Sequence, residues 1–266
     1  VTVVSGEAKV LVERQGSSMI ITLNRPGARN AVDGEVSRLV GGALTAADAD
    51  PAVRAIIVTG SGDQAFCAGA DLKAIMRGEP VLEPGREHWN FAGFVNHFTS
   101  KPTIAAVNGN ALGGGTELAL ACDLVVAVNT ASFGLPEVTR GLLPGAGGVF
   151  RLVEQLPFRV AMQMLLTGEP MTAQDALRWG LINQVVPPGE HLAAALELAA
   201  LIGCGAPLAV QASKRIAYGV QDKLRAGEAA KWEQTNAEFL ALLATRDAAE
   251  GPRAFSEKRA PVWEAC

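Results

Sequence analysis

The chain has 266 residues, long for one domain and short for two full ones, so one core with a helical extension fits better than two independent folds. Hydrophobic residues make up 49%, enough to bury a large core and to exclude a disordered chain. The net charge is −4 and no long Lys/Arg run occurs, which argues against a nucleic-acid partner.

Val1 to Lys9 is not a basic stretch followed by an apolar one, so no signal peptide is expected and the cytoplasm is the default location. Val10–Glu13 and Met19–Leu23 are β-rich and separated by Gln15-Gly16-Ser17-Ser18, which predicts a hairpin. Asn24-Arg25-Pro26-Gly27 ends the second strand. From Val32 to Ala49, the residues Val36, Leu39, Val40, Ala43 and Leu44 recur at helical spacing. Asp33 lies early in that helix and suits its positive end. Arg54–Gly60 reads as a short buried strand, followed by a glycine-rich loop to Gly69 and a short helix opened by Asp71.

Thr103–Val107 is a second buried strand, closed by the turn Asn108-Gly109-Asn110. Gly113-Gly114-Gly115 leads into an apolar helix over Thr116–Ala121, and Leu124–Val128 is again a strand. Strand, glycine loop and helix thus occur twice, at the spacing that parallel crossovers require. Asp123 interrupts the apolar run Leu118–Val128, so no membrane span is indicated.

Beyond about residue 144 the pattern turns helical. Helices are expected over Leu152–Leu166 and Thr172–Trp179, with a last strand at Ile182–Val186. From His191 onward only helices are expected, broken near Gly203–Pro207, Gly227 and Gly251-Pro252. This alanine-rich amphipathic tail cannot make a large core alone. It is either a helical cap on the main domain or an oligomerisation layer.

The cysteines are Cys67, Cys122, Cys204 and Cys266, with no C-x-x-C pair, and histidine is limited to His88, His97 and His191. Neither a zinc site nor a disulfide framework is expected, and Cys67 and Cys122 read as small core residues.

Three glycines before a helix let the backbone approach a ligand, and the helix N-terminus offers free N–H groups. Such a place suits a phosphate or a developing oxyanion; a plain strand-to-helix turn explains it equally well. The other loop, Phe66-Cys67-Ala68-Gly69-Ala70-Asp71-Leu72-Lys73, has the same character. Two such loops could aim two amides at one oxygen. Neither fits a nucleotide-hydrolysing P-loop, and G-x-S-x-G is absent. Glu117 lies in the first turn after the glycines, and Glu137 follows Pro136 at another helix start. Each alone is ordinary helix-start chemistry. What raises a functional reading is Glu117 beside a candidate oxyanion cradle, with a second acid in a similar setting.

These motifs resemble those of the enoyl-CoA hydratase (crotonase) family. Ala65–Lys73 is similar to its first oxyanion motif and Ala106–Leu118 to its second. Phe133–Glu137, followed by Gly141–Gly148, is similar to its third, and the register agrees from about Val10 to Trp263. The resemblance implies an α/β crotonase spiral of repeated ββα units. Residues 1–200 would form the core with the CoA and active sites, and residues 201–266 a C-terminal helical trimerisation region. The implied activity is reversible hydration of an enoyl-CoA, with no cofactor beyond the coenzyme A of the substrate and a homotrimer or hexamer as the assembly.

Residue by residue, the resemblance assigns the amides of Ala70 and Gly114 to the thioester oxygen. The position of Glu117 activates water, and that of Glu137 exchanges the proton at Cα. Isomerases of the family typically keep only an acid near the Glu137 position, so having both favours hydration. The CoA set it implies is Ala28, Arg29, Ala68, Asp71, Leu72, Lys73, Phe255 and Lys258. Gly27 stands where the family often has Lys, and Arg29 is the alternative cation. The acyl pocket set is Trp89, Phe91, Phe94, Gly113, Pro136 and Gly145. The spacing of Phe91, Phe94 and Phe98 is helical and predicts a core face.

A finer resemblance, to the carnitinyl-CoA dehydratases within the family, rests on Glu250–Trp263, Ala176–Gly180 and Gly148–Leu152. A quaternary ammonium on the substrate would favour an aromatic or acidic wall. A catalytically silent CoA-binding scaffold is the non-enzymatic alternative.

Overall fold

The computed structural model describes residues 8–266. The stretch 1–7, most of the segment in which no leader pattern is expected, lies outside the described residues.

The hairpin forms as expected, from β1 (Val10–Gln15) and β2 (Ser18–Leu23) paired antiparallel. Helix α1 (Gly34–Ala49) starts one residue after Asp33, which is its N-cap rather than a first-turn residue. Asp33 Oδ1 accepts from Val36 N–H at 3.0 Å, satisfying one of the four amides a helix start leaves free. Strands β3 (Ala55–Gly60) and β4 (Ala65–Cys67) then lead into α2 (Leu72–Met76). Strands β5 (Thr103–Val107) and β6 (Asn110–Leu112) lead into α3 (Gly114–Ala121). Strands β7 (Leu124–Val128) and β8 (Ser132–Gly134) lead into a 3-10 turn, Pro136–Arg140.

The ββα unit therefore repeats three times. Each repeat gives its first strand to one sheet and its second to another. With the later strands β9 (Met171–Thr172) and β10 (Gln184–Val186), the first sheet has the order β1-β2-β3-β5-β7-β10 and the second β4-β6-β8-β9, with β3, β5 and β7 parallel, and β4, β6 and β8 parallel. Strands β4, β6 and β8 have three residues each, too short to show alternation, which is why they read as loops in the sequence.

The predicted helix over Leu152–Leu166 is two helices, α4 (Gly148–Gln155) and α5 (Phe158–Thr167). Pro157 separates them, because proline lacks the N–H and disfavours helix at the residue before it. After β9 (Met171–Thr172) come α6 (Ala173–Arg178), capped by Thr172 Oγ1 on Asp175 N–H, and β10 (Gln184–Val186). Helix α7 (His191–Gly203) covers one face of the first sheet. Its Ala195 and Ala199 pack with Ile20, Ile57, Ile104 and Ala106. The other face, with Ile21, Ile56, Val58, Ala105 and Val107, meets α1 and the spiral's helices in the main core. Each such aliphatic side chain stabilises by about 1.5–3 kcal/mol on full burial.

The tail departs from the all-helical expectation. Helix α8 (Pro207–Ala217) is followed by a small hairpin, β11 (Val220–Gln221) with β12 (Leu224–Arg225). Asp222 and Lys223 at its tip both have positive φ, the geometry of a two-residue hairpin turn that Asp favours but Lys does not advertise. Helix α9 (Ala229–Leu243) precedes α10 (Arg246–Ser256), which runs through Gly251-Pro252 without the expected break. A Cβ on Gly251 would overlap Arg140 O, so the glycine serves helix packing rather than a turn. Among the described residues no single helix is long and apolar enough to cross a membrane, and no cluster of His, Cys, Asp or Glu could hold a metal ion.

Candidate active site

The first glycine loop is tied to residues 25–33. Val32 and Ala70 form a parallel bridge: Val32 N–H donates to Gly69 O at 2.9 Å, and Asp71 N–H to Val32 O at 2.8 Å. A residue bridged in this way points its own N–H to the opposite side. The Ala70 amide has no acceptor among the described residues. Asp71 does two jobs inside the fold. Its carboxylate caps α2 by accepting from Lys73 and Ala74 N–H, and it pairs with Arg25 at 2.7 Å. Arg25 lowers its pKa against the opposing effect of burial, the larger single influence. The Asp71 side chain is engaged by Arg25 and the helix cap.

The second loop abuts the first. Gly69 has φ +92°, and a Cβ there would come 3.2 Å from Gly114 N. A Cβ on Gly115 would collide with Cys67 O, so only glycine allows the two loops to close on each other. Gly114 opens α3, and its N–H lacks an intrahelical acceptor by position. The free amides of Ala70 and Gly114 thus lie on adjoining loops. Thr116, which the sequence reading passed over, braces the second loop: its Oγ1 is 2.7 Å from Ala111 O and accepts from Gly134 N–H at 3.0 Å.

Glu117 is 3% exposed on α3, and its Oε1 accepts from Ala146 N–H at 2.7 Å and Gly148 N–H at 2.8 Å. Burial raises its pKa above the ordinary carboxylate value, against the opposing pull of those amides and of Arg151. Glu137 sits on the 3-10 turn with Pro136 at its first position. Its Oε1 lies 3.0 Å from where a Cβ on Gly113 would be, and its buried Oε2 has no partner among the described residues. Burial raises its pKa first and the charge of Glu117 second, so the two carboxyl groups titrate as a pair.

That shift predicts a stability signature. A carboxyl whose folded pKa exceeds its ordinary value of 4.5 holds its proton more tightly in the fold, so stability falls as pH rises above that value. Glu137→Gln removes the penalty. At pH 8 the variant should be more stable than the parent by on the order of 1–2 kcal/mol, a few degrees in Tm, with the gap closing near pH 5. Thermal melts at both pH values test this, and a gap that is constant or reversed would contradict it.

The remaining predicted residues divide into groups. Ala28, Arg29 and Ala68 are exposed together, with Ala68 N–H donating to Arg29 O at 3.0 Å. Leu72 and Lys73 are exposed at the start of α2, next along the chain from that loop. Phe255 lies on α10 and Lys258 just past its end; α10 packs on the Glu137 turn, with the Phe255 ring 3.5 Å from the Arg140 guanidinium. Phe91 presses on Gly114, whose Cβ would come 2.5 Å from the ring.

The Trp89 indole packs over Gly41 of α1 and stacks on His97 with centroids 4.1 Å apart. Phe94 is buried in the main core. The helix predicted from the Phe spacing is absent. Positive φ at Asn90 and Ala92 breaks the segment into 3-10 turns that fit against α1. Gly145 meets Phe239 of α9, 3.1 Å from its Cβ position, and Gly113 and Pro136 flank Glu137. The tail therefore reaches the 145–148 loop whose amides hold Glu117. The Gly-Ala-Gly-Gly run of residues 145–148 signalled the loop that holds Glu117; nothing in the sequence signalled Phe239.

A ββα spiral that buries two coupled carboxyl groups beside unpaired amides is the architecture of an acid–base enzyme. Over residues 13–265 the chain matches the family described as Enoyl-CoA hydratase/isomerase. A carnitinyl-CoA dehydratase of Salmonella typhi is 44% identical over 257 residues, covering 94% of this chain and 96% of the relative. The crystal structure of a carnitinyl-CoA hydratase from Mycobacterium avium superposes with a TM-score of 0.96 at 62% identity, covering 97% and 99% of the two chains. That of an enoyl-CoA hydratase from Mycobacterium tuberculosis H37Rv gives 0.76 at 44% identity, covering 98% and 100%. The chain belongs to the enoyl-CoA hydratase/isomerase family.

Proposed function

We propose that this protein is a hydro-lyase that reversibly adds water across the 2,3 double bond of an enoyl-CoA thioester. The observation that carries the reading is the pair of coupled, buried glutamates, Glu117 and Glu137, next to the free amides of Ala70 and Gly114. Family membership supports it.

In the hydration direction, Glu117 takes a proton from water as the water oxygen bonds to Cβ. The electrons of the double bond move onto the thioester oxygen, where the Ala70 and Gly114 amides stabilise the charge. Glu137 then delivers its proton to Cα as the carbonyl re-forms. Raised pKa values suit this division, because like-charged neighbours resist joint ionisation and leave one acid and one base near neutral pH. A CoA-binding scaffold would gain nothing from burying two carboxyl groups against each other, at a cost to stability.

Within that class, we read carnitinyl-CoA and its dehydrated partner as the favoured substrate pair. The support is the 62% identity to a protein named carnitinyl-CoA hydratase. The exposed ring of Arg29, Lys73 and the Ala28 and Ala68 backbone is the proposed CoA contact. Leu208, Ile216 and Leu240, each more than half exposed on the tail helices, support a homotrimer or hexamer.

The test is an assay following loss of the conjugated enoyl absorbance with crotonyl-CoA, longer enoyl-CoAs and crotonobetainyl-CoA. The highest kcat/KM is expected for crotonobetainyl-CoA. A preference for crotonyl-CoA would retain the class and reject the subgroup; no turnover of any would reject both.

A further inference from the structure

The residues that hold Glu117 are themselves held from below by the tail. Arg151, on α4, is 2% exposed. Its Nη2 donates to Glu228 Oε2 and to Val95 O, both at 2.7 Å, and its Nε to Glu228 Oε1 at 3.2 Å. Trp232 Nε1 at 3.2 Å and Arg225 Nη1 at 3.1 Å complete the shell of Glu228. Arg151 Nη1 is buried with no partner among the described residues, and it lies 3.1 Å from the position a Cβ on Gly147 would take. Gly147 is the residue between the two amides that grip Glu117 Oε1, and its carbonyl accepts from Arg151 N–H at 3.1 Å.

The structure assigns Arg151 as a positioning residue for Glu117, with Glu228 as its regulator; this rests on the proposed role of Glu117 as the base. The Arg151 side chain packs against Gly147 on the buried side of the 146–148 loop, and its charge favours the ionised form of Glu117. Glu228 neutralises part of that cation and, through Arg151, ties α4 to the start of α9. The charged groups around the pair come from four places: Glu137 and Arg140 on the 136–140 turn, Arg151 on α4, Arg225 on β12, and Glu228 ahead of α9. A residue that merely fills space would leave the titration of Glu117 alone. A cation facing it cannot, because it favours the ionised form.

The experiment is the pH profile of kcat/KM for enoyl-CoA hydration by the full chain. Arg151→Met is expected to lower kcat about 10–100-fold with KM within about threefold, the pattern of a group acting in the transition state. Its acid limb should move to higher pH, because the base loses its cation. Arg151→Lys should keep the limb near that of the parent. Glu228→Gln should move the limb the opposite way, because Arg151 is then unneutralised. An acid limb that stays put, or moves the same way in Arg151→Met and Glu228→Gln, overturns the assignment. Should Arg151→Met not melt cooperatively, Glu228→Gln decides alone: a lowered limb supports it and an unmoved one overturns it. Glu117→Gln is measured alongside. If that variant turns over like the parent, the proposed base is wrong; if it is inactive while the limbs do not move, only the role of Arg151 falls.

Discussion

Glu117→Gln and Glu137→Gln are each expected to lower kcat for enoyl-CoA hydration by about 10²–10⁴-fold, the range that positioned acid–base groups supply. KM should change little, because neither side chain is needed to hold CoA. Glutamine preserves the shape and, at residue 117, an oxygen to accept from Ala146 and Gly148 N–H, so the loss isolates proton transfer from packing. The double variant should be little worse than the more damaged single one, since removing either half of a proton relay stops the same event. Steady-state rates with calorimetric CoA binding check this. Turnover within about threefold of the parent in either single variant would remove that residue from the chemistry.

Gly115→Ala should be the most damaging change that adds a single methyl group. Its Cβ would collide with Cys67 O, and neither partner has slack: Cys67 lies in β4 and Gly115 in the first turn of α3. Separating the loops moves the Gly114 amide away from that of Ala70. Loss of one such donor costs about 10²–10³-fold in kcat in other enzymes. Overpacking should also destabilise the fold by about 1–3 kcal/mol. Gly42→Ala is the control. Gly42 is exposed on α1 with open space at its Cβ position, so alanine there should stabilise by about 0.5–1 kcal/mol and leave turnover alone. If Gly115→Ala melts and reacts like the parent, the close approach of the loops is not what aligns the two amides.

Much of this was legible along the chain because the signals are local. The hairpin, α1, β3, β5 and β7 follow from alternation, helical spacing and turn residues, all properties of neighbours in sequence. The two glycine loops, Glu117 after the second of them and Glu137 after Pro136 were legible for the same reason. A helix start next to glycines has its chemistry written within five residues. What failed was equally physical. Strands β4, β6 and β8 are too short for a period to appear, and they exist because each spiral turn lays them beside the last. The phenylalanine spacing imitated a helix, but Gly93 and Gly41 bring that segment close against α1 in another conformation. The glycine of α10 looked like a break and is a contact.

By itself the sequence determined the family motifs, the helix starts and the identity of two acids at those starts. Only the tertiary structure decided that both acids are buried and that the charge of Glu117 adds to burial in raising the proton affinity of Glu137. It alone also decided that Asp71 serves Arg25 rather than solvent, and that Glu228, 77 residues from Arg151, completes the support beneath Glu117. The reason is one of range. Backbone preferences are set within a few residues, whereas desolvation and charge coupling depend on which distant segments exclude water together.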